Sequence, residues 1–143
     1  MKKVVMLCVA IGAMLISCSK DYEEMIVGTW NCVTISYKYI FDNSEHAETN
    51  DCGESIVFYS DGVCSTGMTG YLRGNRYLVE DDYLVMIDDN SSKRYKLKIE
   101  SISSSSCILV YREYDVGFVS YDSPEDPGWT GDLVITYTLK RIE

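Results

Sequence analysis

The chain has a single histidine, so any histidine-based proton relay or nucleophile activation would run through His46. His46 stands in the polar stretch Asn43-Ser44-Glu45-His46-Ala47-Glu48. Between two glutamates, a solvated side chain is the simpler reading than a base. No Gly-x-Ser-x-Gly elbow and no phosphate-cradling glycine loop accompanies it. The remaining acid–base groups are the carboxylate pairs Asp81/Asp82, Asp88/Asp89 and Glu125/Asp126. A calcium site gathers about six to eight oxygens, and a glycosidase sets two carboxylates across a cleft. Adjacent residues at a strand turn point to opposite sides, which defeats both arrangements. These pairs predict hydrated turns, and the reading is of a non-enzymatic protein with no catalytic residue, metal or cofactor.

Cysteine is more plentiful. Cys8 and Cys18 belong to the N-terminal region, leaving Cys32, Cys52, Cys64 and Cys107. Their spacing does not choose among disulfide connectivities. Cys32, Cys64 and Cys107 each fall inside a predicted strand, where a free thiol serves equally as a small core hydrophobe. With no Cys-x-x-Cys pair, a zinc site is disfavoured.

The candidate contact residues are aromatic. Tyr114, Phe118, Tyr121 and Trp129 lie in or beside the aperiodic stretch 115–132, which Pro124, Pro127, Gly128 and Gly131 punctuate. Long connections in compact domains are uncommon and often functional. Exposed aromatics bind partners or stack on sugar rings with little entropy to lose. The alternative is that Phe118 and Trp129 fold back and plug one end of the fold.

The elements that would position these residues are strands. Tyr occurs 12 times and Pro twice, and Val, Ile, Thr and Tyr recur in short runs, a β-rich composition. Strand one is predicted over Thr29–Phe41, and 42–53, with the histidine, as a loop. Ser55–Tyr59 and Val63–Met68 flank Ser60-Asp61-Gly62, a hairpin signal. Short strands follow at Tyr71–Arg73, Tyr77–Val79 and Tyr83–Ile87, with Gly74-Asn75 as a tight turn or bulge. Arg94–Ile102 alternates cleanly: Tyr95, Leu97 and Ile99 on one face, Arg94, Lys96 and Lys98 on the other. Cys107–Tyr114 and Leu133–Arg141 complete the set, the latter with Leu133, Ile135, Tyr137 and Leu139 on one face. Such a series predicts an all-β, antiparallel up-and-down meander. Closing it into a barrel would remove its exposed edges.

The N-terminus has its own pattern. Lys2 and Lys3 precede the apolar run Val4–Ile16, which is shorter than the ~20 residues of a membrane-spanning helix and fits the middle of a secretory signal. Without Lys2 and Lys3 the remaining chain carries 11 basic residues against 22 acidic ones, taking the net charge from −9 to −11. That balance argues against nucleic acid and anionic lipid as partners.

Two resemblances give these patterns a context. Leu15-Ile16-Ser17-Cys18 resembles the lipobox of bacterial lipoproteins. It implies a signal peptide at 1–17, lipidation of Cys18, a tether over 18–26 and a folded domain over 27–143. Ser19-Lys20-Asp21-Tyr22-Glu23-Glu24 resembles the acidic stretch that sends Bacteroidota lipoproteins to the outer face of the outer membrane. Within the domain, Gly28-Thr29-Trp30 resembles the Gly-x-Trp motif of lipocalins, and Phe58-Tyr59-Ser60-Asp61-Gly62 resembles the Phe-x-x-Asp-Gly hairpin of bacterial lipocalin-like lipoproteins. That likeness implies a lipocalin-like eight-stranded barrel closed at one end by Trp30 with Arg141 of the last strand stacked on it. It implies a binding protein of the cell envelope, taking a small apolar ligand in the barrel, or a glycan or envelope protein through the 114–132 loop. A solid-barrelled accessory subunit of an envelope complex is the alternative. Neither likeness brings a catalytic residue with it.

Overall fold

Two hairpin ladders meet edge to edge in the computed structural model, which describes residues 21–68, 70–118 and 129–142. Among these, a short helix α1 (Tyr22–Ile26) leads into nine strands: β1 (Gly28–Phe41), β2 (Ser44–Asp51), β3 (Ser55–Phe58), β4 (Cys64–Thr66), β5 (Arg76–Glu80), β6 (Tyr83–Asp88), β7 (Lys93–Ile102), β8 (Ser106–Phe118) and β9 (Trp129–Arg141). Every pairing is antiparallel, in the order β4-β3-β1-β9-β8-β7-β6-β5, with β2 added to β1. The two ends of that order touch. Val63 bridges to Arg76, Cys64 N donates to the Asn75 carbonyl at 3.1 Å, and Tyr77 N donates to the Gly62 carbonyl at 2.8 Å. The sheet is therefore a nearly closed barrel of eight strands, its end strands supplied with partners.

Period-two alternation selects the inner face. Leu97 and Ile99 of β7, Cys107 and Leu109 of β8, and Leu133, Ile135, Tyr137 and Leu139 of β9 are buried. Trp30, Ile56, Phe58, Leu84 and Met86 complete a core in which large side chains fill the interior. Met68 and the irregular stretch 70–75 cap the far end, with Met68 and Leu72 tucked into this core. At the seam, Gly62 adopts φ +85° in the Ser60-Asp61-Gly62 turn, and Asp61 Oδ1 accepts from Val63 N at 3.1 Å.

Three sequence expectations need correction. Residues 42–53, read as a loop, hold β2. β1 runs 14 residues, and its half beyond Thr34 outreaches β3, so β2 pairs there instead. All of β2 is exposed, so it has no buried face and shows no alternation. Its Asp42-Asn43 turn has φ of 48° and 59°, the paired left-handed geometry that Asp and Asn tolerate. Secondly, 115–132 is not one long connection. β8 continues to Phe118 and β9 resumes at Trp129, with Phe118 opposite Trp129. The register slips between Glu113 and Val116, where Asp115 has φ 56°; this bulge is what breaks the pattern. Lastly, Tyr71–Arg73 is a turn, not a strand. Residues 22–26, at the end of the expected tether, form α1 and bury Ile26.

Candidate functional site

The two barrel ends are built differently. At one, Trp30 is fully buried and its indole Nε1 donates to the Ile26 carbonyl at 2.8 Å. The guanidinium of Arg141, on the neighbouring strand, lies 4.2 Å from the centre of the Trp30 ring. It donates to the carbonyls of Val27 (2.7 Å), Met25 (2.6 Å) and Ser104 (2.8 Å). Each of its nitrogens serves the backbone, so the guanidinium is committed to tying this end of the barrel together.

The other end opens. β7 and β8 are paired only from Lys98↔Val110 to Ile102↔Cys107. Beyond that, β7 stays with β6 and β8 with β9, so the two strands part. A cleft of about 580 Å³ lies in the parting, lined by Gly70, Tyr71, Arg73, Lys93, Arg94, Tyr95, Tyr111 and Glu113. Tyr95 and Tyr111 are the rim positions of two inward-facing series. Tyr71 comes from the capping stretch and fills the gap between them. It stacks on Tyr111 with ring centres 3.9 Å apart and an interplanar angle of 15°, and meets Tyr95 edge-on at 5.5 Å. Tyr71 N donates to the Tyr137 hydroxyl at 3.3 Å, and its own hydroxyl donates to Glu113 at 3.2 Å.

The electrostatics follow from this packing. Burial, reinforced by the Glu113 carboxylate, pushes the Tyr111 hydroxyl up to about 12 and raises that of Tyr71. Both rings are neutral at physiological pH. Arg73 donates from Nη2 to the Tyr95 hydroxyl at 2.9 Å, while its Nε is buried without a hydrogen-bond partner. The cleft can therefore hold a ligand by apolar contact, hydroxyl hydrogen bonds and positive charge.

The outer side of the same parting carries a second groove of about 560 Å³, lined by Tyr83, Lys96, Lys98, Glu100, Val110, Arg112 and Tyr114. Two of its cations are already engaged. Lys96 and Lys98 lie 4.5 and 5.2 Å from the Tyr83 ring centre, and they pair with Glu80 and Asp82.

Of the residues singled out from sequence, Tyr114 reaches this outer groove and is 67 % exposed. Phe118 and Trp129 form the last backbone pair of the β8–β9 ribbon. Tyr121 and Cys18 lie outside the described residues, as do Glu125 and Asp126. The structure thus brings Trp30 and Arg141 together, while Tyr114 lies on the outer groove and the backbone of Phe118 pairs with that of Trp129 on the β8–β9 ribbon. Sequence reasoning missed Tyr71, Arg73, Tyr95, Tyr111 and Glu113. The change from Leu and Ile to Tyr at the ends of the Tyr95-Leu97-Ile99 and Cys107-Leu109-Tyr111 series was the available signal.

The groups expected to be inert sit as follows. His46 is exposed on β2, its ring 6.5 Å from that of Tyr39. Asp82 pairs with Lys98, Asp88 accepts from Asn90 N and Ser91 Oγ, and Asp89 grips Arg76 through two bonds of 2.6 Å. Cys32, Cys52, Cys64 and Cys107 are unbridged. Burial pushes the thiols of Cys64 and Cys107 up to about 11 and 12, away from nucleophilic thiolate. Among the described residues no three His, Cys, Asp or Glu side chains converge as metal ligands. Comparison of the chain with protein-family models, curated proteins and solved structures gives no match.

Proposed function

We propose that the chain is a lipid-anchored envelope protein that binds a small molecule at the open mouth of its barrel and does no chemistry on it. The observation that carries this reading is the tyrosine-lined cleft between the parted strands β7 and β8. Concave sites with aromatic walls and a few convergent polar groups are the usual form of a small-molecule pocket. The barrel interior is occupied by Trp30, Phe58, Leu97, Leu109 and Tyr137, which moves the ligand from the lumen to the rim. The lipobox-like Leu15-Ile16-Ser17-Cys18 supports anchoring through Cys18, and the motif likeness to lipocalin-like lipoproteins supports a carrier over an enzyme.

Mass spectrometry of protein purified from its native host tests the reading. A stoichiometric small molecule, lost from a Tyr71→Ala variant that keeps the wild-type circular dichroism spectrum, is the expected result. A wild-type protein that carries nothing, and whose mouth tyrosines show no ligand-dependent chemical shifts, would overturn it.

A second reading, docking to a neighbouring envelope protein, rests on Tyr114 at the outer groove. Loss of co-purifying partner on Tyr114→Ser, with ligand retained, would favour it.

A further inference from the structure

We infer that the ligand of the barrel mouth carries an anionic group, a carboxylate or phosphate on a flat or apolar body, and that Arg73 is the residue that receives it. This rests on the mouth-binding reading above and adds the chemical class of the ligand.

Three observations converge. The first is the state of Arg73. Its Nη2 is bound to the Tyr95 hydroxyl, which fixes the guanidinium, yet its Nε is buried with no acceptor. A buried N–H without a partner is a cost that native proteins rarely leave standing. The same side chain lines the cleft, and its planar guanidinium fork suits carboxylate and phosphate oxygens.

The second is local charge. The lining holds Arg73, Lys93 and Arg94 against the single carboxylate Glu113, in a chain whose net charge is −9. Glu113 accepts the Tyr71 hydroxyl hydrogen bond. The nearby carboxylates of Asp88 and Asp89, which feel Arg73 and Arg94 respectively, are committed to turn and Arg76 contacts. A cationic lining on an acidic protein favours an anion at the mouth.

The third is the wall chemistry. Tyr71, Tyr95 and Tyr111 surround the same space as Arg73, so a bare inorganic ion would leave the aromatic surface unused. An amphipathic anion uses both.

The test is calorimetric titration of the whole chain with three probes sharing one ring: naphthoate, naphthyl phosphate and the neutral naphthamide. At least one anion should bind one-to-one and about tenfold or more tighter than naphthamide, the scale of one charge-assisted hydrogen bond. Arg73→Gln should abolish that preference, bringing the anion's affinity down to that of naphthamide measured on the same variant. The exposed double variant Lys93→Gln/Arg94→Gln, which leaves the core untouched, should reduce it severalfold and weaken its salt dependence. If all three probes bind wild type equally, or Arg73→Gln leaves the ratio intact, anion recognition is overturned and the mouth site stands. If none binds, and Tyr71 and Tyr111 resonances do not move, the mouth site falls with it.

Discussion

Arg141 holds the last strand to the first turn of the domain by lying on the face of Trp30 while bonding the carbonyls of Met25 and Val27 on the segment just before it. One side chain thus joins α1, β1 and β9 at the closed end of the barrel. Arg141→Lys keeps the charge but loses the planar fork. It should cost about 2–3 kcal/mol in urea unfolding, since several carbonyls lose a charged donor. A loss below about 0.5 kcal/mol would mean that the contact is incidental.

The Tyr71–Tyr111 stack makes the mouth, so its removal should separate binding from folding. Tyr71 is half-buried, and its ring fills a gap between strands already held by other ladders. Tyr111→Ala should lower stability by about 1–3 kcal/mol and remove ligand binding. Tyr114→Ala, on the outer groove, should leave stability within about 0.5 kcal/mol and the inner site intact. Equilibrium unfolding with ligand titration distinguishes the two faces.

Alkaline pH should weaken the fold by a definite route. Burial raises the Cys64 and Cys107 thiols from an ordinary value of 9.0 to about 11 and about 12, and Tyr111 from 10.0 to about 12. For each group the unfolded chain binds fewer protons than the native one in the window between those values. Stability therefore falls as pH rises. Their contribution is whole below pH 9 and declines progressively to about pH 12. Urea unfolding midpoints followed from pH 7 to 11 should drop beyond pH 9. Cys107→Ala should flatten the early part of that decline, at the cost of a small cavity.

Asp42 and Asn43 turn the chain between β1 and β2 with positive φ at both positions. Asn43→Gly should be neutral or stabilising. Asn43→Ile should cost about 1–2 kcal/mol in thermal unfolding, because a branched side chain resists left-handed geometry. Equal effects of both variants would remove that turn from the account.

That hairpin shows which parts of the fold could be read from the chain. β7 and β9 were visible because one face meets the core and the other meets water, as with Leu97 against Lys96. β2 was invisible because its Ser-Glu-His-Ala-Glu-Thr-Asn-Asp run is exposed throughout and pairs only with β1, so its polar side chains carry no period. The extension of β8 was hidden by the extra residue at Asp115, which shifts every later side chain to the other face. The mouth was hidden for another reason. Tyr71, Tyr95 and Tyr111 come from three separated segments, and only the parting of β7 from β8, a property of the register, creates the space they line.

Closure of the barrel depends on the seam at Gly62. Its φ of +85° belongs to the left-handed region, and a Cβ placed on it would sit 3.3 Å from the Tyr77 carbonyl. The Gly62 carbonyl also receives the Tyr77 amide across the seam. Gly62→Ala therefore meets backbone strain and crowding together, and about 1–2 kcal/mol should be lost. The loss should be local before it is global. Amide exchange at Tyr77 and Cys64 should quicken, because those two donors hold the seam. The amides of the β6–β7 and β8–β9 ladders should keep their protection, because their partners do not change. If seam and ladder amides quicken alike, closure is not a separable element and the barrel opens only by unfolding throughout.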